Sequence, residues 1–502
     1  MRINAKSLAP LMLVALSGVH QTISATTLLE NVHIIPMTGE GEVLKGAVLV
    51  NDGHVLAVGP SASITVPAEA KRIDGAGGFL IPGLTDMHNH IDSPESLKLQ
   101  LAYGVTTIRN MWGTDEVLAQ RAAEQAGELL APDIETVSPI IDHDPPYFPG
   151  SITITDAAAA DDFVRDLKEQ GYTALKTYEL IQKEVYFALT KAADRYGMTI
   201  EGHIPQAVDA FDAVLLGHDT VEHSMRVDAA IVAPGTTYSS AFRPPELVRL
   251  VERIDAGEMT YEEAFRRDML RALAGLMVEN GTALVPTMGV YEVLSYSQSN
   301  REAMAKHPLI DYVNPVYKGF WLQADPVEEL TNEGVKAEPS DAEIASLEYF
   351  ASTEHGKWVA IMHEEGVLIL AGVDAPNPGM FQGFSLHDEL GRMVSRAGMS
   401  NYEALKTATV NPTIYWKIEG QRGVIAPGAE ADFILLANNP LDEIANTKSI
   451  QGVMADGQWL DRTRLDAVLK EVHEAYAAQA KAMEEGGEPA AGFPVHLHGA
   501  HE

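Results

Sequence analysis

Residues 80–90 read LIPGLTDMHNH, a short apolar run that ends in two histidines separated by one residue. Side chains two positions apart on a strand point to the same side, so His88 and His90 are predicted to face one ion. Seven further strand-like runs follow along the chain. They are GVTTIRNM from Gly104, DIETVSPII from Asp133, YTALKTY from Tyr172, MTIEGH ending at His203, DTVEH ending at His223, TALVPT from Thr282 and VLILAGVD ending at Asp374.

Helical patterns alternate with these runs. In the segment DAAAADDFVRDLKEQG, which ends at Gly171, the side chains of Phe163, Val164 and Leu167 share one helical face. Thr155 can cap the start of this helix, and Gly171 suits the position just past its end. The run YTALKTY follows at once as a strand. Eight strands alternating with helices predict an α/β fold, a (β/α)8 TIM-like barrel.

Two β-rich pieces flank this α/β stretch. Short strand-like runs separated by glycines make up residues 27–82, and the same sequence pattern recurs at Gly423–Ala437 and Ser449–Leu460. These pieces predict a small composite β-sandwich domain formed from both chain ends. The predicted division is 1–25 signal peptide, 26–82 first segment of the β-sandwich, 83–413 barrel, 414–464 second segment of the β-sandwich, and 465–502 C-terminal helix with a loose tail containing His496, His498 and His501.

The first 25 residues have the pattern of a signal peptide. Arg2 and Lys6 precede an apolar run from Leu8 to Val19, and small residues follow as far as Ala25. The run is too short for a permanent anchor, and no later stretch is long and apolar enough to be a transmembrane helix. We therefore expect export to the periplasm or the exterior; the alternative is a disordered or buried N-terminus.

The charge balance restricts the class of partner. The chain has 71 acidic and 36 basic residues, a net charge of −35. An acidic surface repels phosphate backbones, which argues against nucleic-acid binding, and it aids solubility. Tolerance of cationic substrates is a second interpretation of the same charge. There is no cysteine, so disulfides and thiolate ligands are excluded, and stability must come from core packing and bound metal.

Residues that can bind a metal fall at or near the ends of five predicted strands. They are His88, His90, Lys176, His203, His223 and Asp374. The carboxyl ends of barrel strands lie on one face, so these side chains are expected to converge. Imidazole and carboxylate donors suit hard-to-borderline divalent cations. An ammonium group has no lone pair, so Lys176 becomes a ligand only as a carbamate formed with carbon dioxide; otherwise it is a structural lysine paired with a carboxylate.

The ordered motifs resemble the amidohydrolase superfamily, and most closely its imidazolonepropionase-like and Xaa-Pro or Xaa-Arg dipeptidase branch. The motifs are GLTDMHNH, GVTTIRN, ALKTY, EGHIP, TVEHS, LVPT, LAGVDA, FSLHDEL, ALKTATVNPT and GVIAPGAEADFILLANNPL. The resemblance covers roughly Leu28 to Leu460 and implies the barrel and the composite β-sandwich.

The resemblance also implies two divalent metal ions. The first ion would be bound by His88, His90 and Asp374. The second would be bound by His203 and His223, with carboxylated Lys176 bridging both. A hydroxide between the ions would be the nucleophile, and Asp374 would move its proton to the leaving nitrogen. Zinc is the first choice of metal, with manganese, cobalt and iron as alternatives.

Further side chains are second-rank candidates. Tyr178 lies two residues after Lys176 and is a candidate donor to an oxyanion, although packing at the barrel rim explains it equally well. His143, after strand three, is a candidate pocket residue. His387 is expected to tether the loop after strand eight, and Asn110 stands where relatives often have aspartate.

The sequence therefore predicts hydrolysis of a C–N bond in a small amide, dipeptide-like or cyclic-amide substrate. Hydrolysis of an ester, lactone or phosphotriester by the same site is the alternative within enzymes. An inactive metal-binding relative is the alternative from another class. Self-association into a homo-oligomer is the default expectation for the assembly.

Overall fold

The structure, a computed structural model, describes residues 26–224, 226–232, 245–295, 298–322 and 341–486. The predicted leader, the histidines of the tail and stretches of both long connections lie outside the described residues. Among the described residues, no helix combines the length and apolar character needed to cross a membrane.

Short strands and helices alternate through most of the described chain. The strands are β1 Thr27–Ile34, β2 Leu44–Asn51, β3 His54–Gly59, β4 Lys71–Asp74, β5 Phe79–Pro82, β6 Leu84–Asn89, β7 Val105–Asn110, β8 Asp133–Thr136, β9 Ile140–Asp142, β10 Ile152–Thr153, β11 Ala174–Thr177, β12 Thr199–Gly202, β13 Thr220–Glu222, β14 Ala283–Val285, β15 Phe433–Leu436, β16 Ile450–Ala455 and β17 Gln458–Asp461. The helices are α1 Pro94–Ala102, α2 Asp115–Gln125, α3 Ala160–Glu169, α4 Lys183–Tyr196, α5 Ala210–Leu215, α6 Val227–Ile231, α7 Pro245–Asp255, α8 Tyr261–Ala264, α9 Arg267–Asn280, α10 Gln298–Met304, α11 Pro315–Leu322, α12 Asp341–Tyr349, α13 His355–Glu364, α14 Phe384–Ser395, α15 Asn401–Thr407, α16 Val410–Trp416 and α17 Arg462–Glu484.

Parallel pairing connects the strands in the middle of the chain. Strand β6 pairs with β7, and β7 pairs with β8. Strand β9 pairs with β11, and the pairing continues through β12 and β13 to β14. Between the two groups, the N–H of Ser138 donates to the carbonyl of Ala174 at 2.9 Å, so the segment that contains β8 and β9 joins them.

The segment after Val367 contacts both ends of this series. Ile369 bridges Leu284 of β14, and Ala375 bridges Asn89 of β6. The predicted eighth strand is thus present as an extended segment with isolated bridges. The pairings therefore pass from β6 through the central strands and return to β6.

Strands from both ends of the chain form a second, mostly antiparallel sheet. Its order is β17-β16-β15-β5-β1-β2-β3, with β4 paired to β1. The late strand β15 pairs with the early strand β5, where Ile434 lies opposite Ile81. Apolar side chains from both ends form a common cluster that includes Leu29, Val48, Phe433 and Met454. The predicted strands of the β-sandwich therefore belong to one hydrogen-bonded sheet of eight strands.

Two local predictions are wrong in detail. The run 80–90 is divided at Gly83, because β5 belongs to the composite sheet whereas β6 begins the parallel series. The N–H of Gly83 donates to Asp432 at 2.8 Å, and a Cβ on Gly83 would lie 2.1 Å from Thr106 Oγ1, so the crossing requires a glycine. Thr155 does not cap α3: the Asp156 side chain accepts from the N–H of Ala158 at 2.9 Å and caps the 3-10 turn Ala157–Ala159, which leads into α3.

Candidate metal-dependent active site

Three predicted ligands lie close enough together to share one ion. Potential ligand atoms of His88, His90 and Asp374 all lie within 4.8 Å of one another. The Nε2 atoms of His90 and His88 are 2.9 and 3.3 Å from Asp374 Oδ1. Two imidazole nitrogens and a carboxylate oxygen, with the His88 and Asp374 side chains almost fully buried, make a donor set that fits a borderline divalent cation.

Two further predicted ligands lie beside this group. His223 Nε2 is 3.7 Å from Asp374 Oδ2, so the aspartate has histidines near both of its oxygens. The ring centre of His223 is 4.5 Å from that of His88 and 5.0 Å from that of His203. Burial lowers the pKa of His203 and of His223 well below the ordinary value, so both imidazoles are neutral and retain a lone pair.

The outer nitrogens of these histidines are held by side chains that sequence reasoning missed. The contacts are His88 Nδ1 with Glu222 Oε2 at 2.6 Å, His203 Nδ1 with Glu179 Oε1 at 2.7 Å and His223 Nδ1 with Thr287 Oγ1 at 2.6 Å. Such contacts fix the tautomer and direct Nε2 toward the metal position. The only sequence signal was proximity, since Glu222 directly precedes a predicted ligand.

Lys176 lies on β11 and is 1% exposed. Its side chain passes over Gly202 of the neighbouring strand, where φ is +106° and a Cβ would lie 2.7 Å from Lys176 Cδ. Burial lowers the pKa of Lys176 to about 8, although Glu222 and Asp374 favour its charged form. Lys176 therefore lies close enough to the candidate ligand Asp374 for the two charges to interact.

A network of buried charged side chains lies next to His88. Arg109 donates from Nη1 to Glu201 Oε2 and from Nη2 to Glu222 Oε1, each at 2.8 Å. The hydroxyl of Tyr415 donates to Glu201 Oε1 at 2.6 Å. Burial opposes ionisation of Glu222, but Arg109 and His88 hold the pKa of Glu222 well below its usual range. Glu222 is therefore an ionised acceptor for the Nδ1 proton of His88.

Comparison with known proteins identifies the family. The model of the Amidohydrolase family matches residues 79–460. The chain belongs to the amidohydrolase family. Imidazolonepropionase from Idiomarina loihiensis is 25% identical over 430 residues, which cover 81% of this chain and 90% of that protein.

Solved structures agree on the fold. Bottromycin amidohydrolase has a TM-score of 0.67 and 22% identity, with 94% of this chain and 93% of that chain covered. A candidate prolidase from Bifidobacterium longum has a TM-score of 0.62 and 21% identity, with 90% and 100% covered. These neighbours imply a TIM-barrel fold with an additional domain for this amidohydrolase, and its relatives support a hydrolase of the class that acts on C–N bonds.

The second-rank candidates of this amidohydrolase differ in their placement. The ring of Tyr178 stacks on that of His203, with centres 4.2 Å apart and planes 24° apart. Burial, reinforced by Glu179, raises the pKa of Tyr178 well above its ordinary value, so the hydroxyl keeps its proton. His143 is half-buried, and its N–H donates to Asp142 at 2.9 Å; within the described residues, its imidazole makes no ring contact with the histidine cluster.

Two other sequence expectations concern supporting residues of the amidohydrolase. His387 lies in α14 rather than in the loop after strand eight, and its Nε2 contacts the carbonyl of Tyr103 at 2.9 Å, which ties α14 to the residue that follows α1. Asn110 accepts from the N–H of Ile91 at 3.0 Å and donates to Thr136 Oγ1 at 3.0 Å. An asparagine suits this position because it must both accept and donate.

Proposed function

We propose that this amidohydrolase uses two divalent cations to hydrolyse a C–N bond in a small amide, dipeptide-like or cyclic-amide substrate. The observation that carries the proposal is the position of Asp374, whose two oxygens face His90 at 2.9 Å and His223 at 3.7 Å. The proposed ligands are His88, His90 and Asp374 for one ion, His203 and His223 for the other, and the Lys176 carbamate as a bridge. Zinc is the proposed metal.

The burial of Lys176 supports its role as a bridge. A lysine buried among neutral histidines lacks the solvent that normally stabilises its charge. Conversion to a carbamate replaces the ammonium by a group with two oxygens, which suits a position between two cations. In this arrangement Lys176 is a metal ligand rather than a partner of Glu222.

The remaining chemistry belongs to named side chains. When bound, the ions would activate a water molecule and polarise the substrate carbonyl. Asp374, whose carboxylate lies between the histidines, accepts a proton and returns it to the leaving nitrogen. Tyr178 keeps its hydroxyl proton and donates it in a hydrogen bond to the oxygen that gains negative charge. His143 is proposed only as a pocket residue of the loop after β9.

Metal content and turnover, measured on protein prepared without chelator or histidine tag, test this proposal. We expect about two equivalents of zinc per chain, loss of activity with chelator and recovery with zinc or manganese. The substrate panel contains dipeptides, N-acyl amino acids and cyclic amides, together with an ester, a lactone and a phosphotriester. Turnover of only the ester, the lactone or the phosphotriester would show that the enzyme hydrolyses those bonds instead of C–N bonds. Absence of both metal and turnover would favour an inactive relative.

We also propose the finer architecture and the location. The parallel strands β6 to β14 and the segment after Val367 form one closed (β/α)8 barrel within residues 83–413, supported by the pairings that return to β6. Export to the periplasm or the exterior rests on the signal-like pattern of residues 1–25. N-terminal sequencing of the exported protein tests the second proposal, because removal of the leader would leave a new N-terminus near residue 26.

A further inference from the structure

Four aromatic side chains from three loops form a continuous surface, here called the aromatic wall. They are Trp112 after β7, Tyr147 and Phe148 after β9, and Tyr178 after β11. The ring centre of Phe148 is 6.2 Å from that of Trp112 and 5.5 Å from that of Tyr178. The ring centre of Tyr147 is 5.8 Å from that of Tyr178. These spacings lie in the range of favourable aromatic pairs.

The aromatic wall contacts the candidate metal centre at both of its ends. The ring of Trp112 is 6.5 Å from that of His90, in an edge-on arrangement of 79°. The ring of Tyr178 stacks on His203 at 4.2 Å. His90 and His203 are proposed ligands of different ions, so the wall runs alongside the whole centre. A substituent on the atom next to the scissile bond therefore lies within reach of the wall.

The carboxylates beside the aromatic wall are already used inside the protein. Both oxygens of buried Asp142 accept backbone N–H groups, and Glu179 accepts from His203 Nδ1 at 2.7 Å. The donors to Asp142 are the N–H groups of His143 at 2.9 Å, Leu180 at 2.7 Å and Tyr147 at 2.9 Å. These two carboxylates therefore add no free acceptor to the ring surface that the wall presents.

The same hydrogen bonds hold the loop that carries two of the rings. Asp142 ties the backbone of Tyr147 to that of Leu180, so the loop after β9 and the loop after β11 are fixed to each other. Trp112 and Tyr178 are buried, whereas Tyr147 and Phe148 are half-buried and retain surface that a ligand can cover. A recognition surface that is fixed before binding loses little conformational freedom on binding.

We propose that the aromatic wall is the specificity subsite for the substrate side chain next to the scissile bond, and that it selects apolar, preferentially aromatic, side chains. The inference rests on the proposed function, since it concerns the same site. A substrate side chain with an apolar ring gains binding free energy, because it removes the surface of Tyr147 and Phe148 from water and stacks on these rings. A small substrate side chain leaves the two half-buried rings in contact with solvent.

The test compares substrates that differ in one side chain. Dipeptides and N-acyl amino acids with phenylalanine, leucine, lysine or alanine on either side of the scissile bond are assayed on the metal-loaded enzyme. We expect the ratio of kcat/KM for phenylalanine over alanine to fall about tenfold in Phe148→Ala, chiefly through KM, and to recover partly in Phe148→Leu. The matched control Phe187→Ala removes a half-buried ring on α4 and should leave the ratio unchanged.

Calorimetry with phenylalanine and alanine, which contain no amide bond to hydrolyse, separates failure of the subsite from failure of the proposed function. If no C–N bond is cleaved but the wild-type protein binds the phenylalanine probe more tightly and Phe148→Ala loses that preference, the subsite stands and the hydrolysis proposal fails. If the panel is cleaved while Phe148→Ala changes neither the ratio nor probe binding, the subsite is overturned and the function stands. A wild-type preference for lysine over phenylalanine would also overturn it.

Discussion

Three residues of the candidate centre adopt backbone conformations that non-glycine residues rarely adopt. The φ angles are +58° at His223, +62° at Asp374 and +40° at Thr287. Left-handed backbone at such residues costs free energy and persists only where surrounding contacts impose it. At His223 those contacts include the bond between its Nδ1 and Thr287 Oγ1 at 2.6 Å. The fold therefore stabilises an unfavourable local geometry where the proposed ligands meet.

The role of Lys176 is tested by Lys176→Ala. Loss of the bridging ligand should lower the metal content from two equivalents to one or fewer. Because the two ions would supply most of the transition-state stabilisation, we expect kcat/KM to fall by about 10³-fold or more. Lys470→Ala, at a position whose side chain is 75% exposed on α17, is the control. Metal analysis and turnover are the measurements, with short carboxylic acids added to replace the carbamate. Normal metal content and turnover in Lys176→Ala would refute the bridge.

Glu222 is predicted to position His88 rather than to bind metal. In Glu222→Gln the amide oxygen can still accept from Arg109, but the amide nitrogen cannot accept the Nδ1 proton of His88. We expect zinc affinity to fall by about 10–100-fold and the free energy of unfolding of the metal-free protein to fall by about 1–3 kcal/mol. Competition with a zinc-sensitive dye and chemical denaturation measure the two effects. The exposed Glu262→Gln serves as the control, and unchanged zinc affinity in Glu222→Gln would show that Glu222 only supports the fold.

At this scale the sequence singles out candidate ligands more readily than the side chains that hold them. A histidine at a strand end carries its own chemical signal, and five of the proposed ligands are joined by side-chain contacts in the structure. Glu179 and Thr287 carry no comparable signal, because carboxylates and hydroxyls are common on every surface. Thr287 contacts His223 from a position with positive φ, and both the contact and this backbone conformation are properties of the assembled fold.

At the scale of elements, the boundary between β5 and β6 decides how the two sheets meet. Pro82 and Gly83 interrupt the run of residues 80–84 and mark a turn, but apolar periodicity alone does not show that its two halves serve different sheets. The boundary follows instead from tertiary pairing, in which β5 adds to β1 and β15 while β6 pairs with β7. The predicted domain boundary at residue 82 coincides with this change of sheet.

Gly83→Ala tests the close approach at this boundary. The added Cβ would lie 2.1 Å from Thr106 Oγ1, a side chain that is itself buried on β7. Relief of the clash requires movement of β6 or β7, and we expect the free energy of unfolding to fall by about 1–3 kcal/mol. Gly275→Ala is the control, because that glycine lies within α9 with open space around it and alanine favours helix there. Equal stability of both variants in denaturant titrations would contradict the account.

At the scale of the whole molecule, acidic residues accumulate where the composite sheet meets the barrel. Asp133 on β8 lies near Glu430 and Asp432 of the segment that leads into β15. Arg422 provides the described positive charge here, 3.1 Å from Asp133 Oδ2 and 2.8 Å from Glu430 Oε2. Burial, with neighbouring carboxylates, raises the pKa of Asp133 to about 6 and that of Asp432 well above its ordinary value.

These shifts predict a pH dependence of stability. A carboxyl whose pKa is higher in the folded state binds protons more strongly when folded, so its contribution is full below the unfolded pKa near 4 and is lost as the pH rises through the folded pKa, which is about 6 for Asp133. Asp432→Asn removes one such carboxyl and keeps the oxygen that accepts from the N–H of Asp456 at 2.9 Å. We expect the variant to gain stability over the wild type at pH 8 and to lose that gain at pH 5.

Denaturation at both pH values measures this effect, with the exposed Asp442→Asn as the control. A variant less stable than the wild type at pH 8 would show that Asp432 is stabilising in its charged form. The net charge of −35 and the pairing of strands from both chain ends could be predicted from the sequence. The burial of particular carboxylates was not, because it depends on how the two sheets pack together.

Anomalous diffraction at the zinc edge from crystals of the metal-loaded protein tests the proposed two-metal centre most directly. We expect two peaks, one bound by His88, His90 and Asp374 and the other by His203 and His223, with density for a carbamate on Lys176 Nζ between them. A single peak beside an unmodified lysine, or peaks confined to the acidic residues near Asp133, would contradict this expectation.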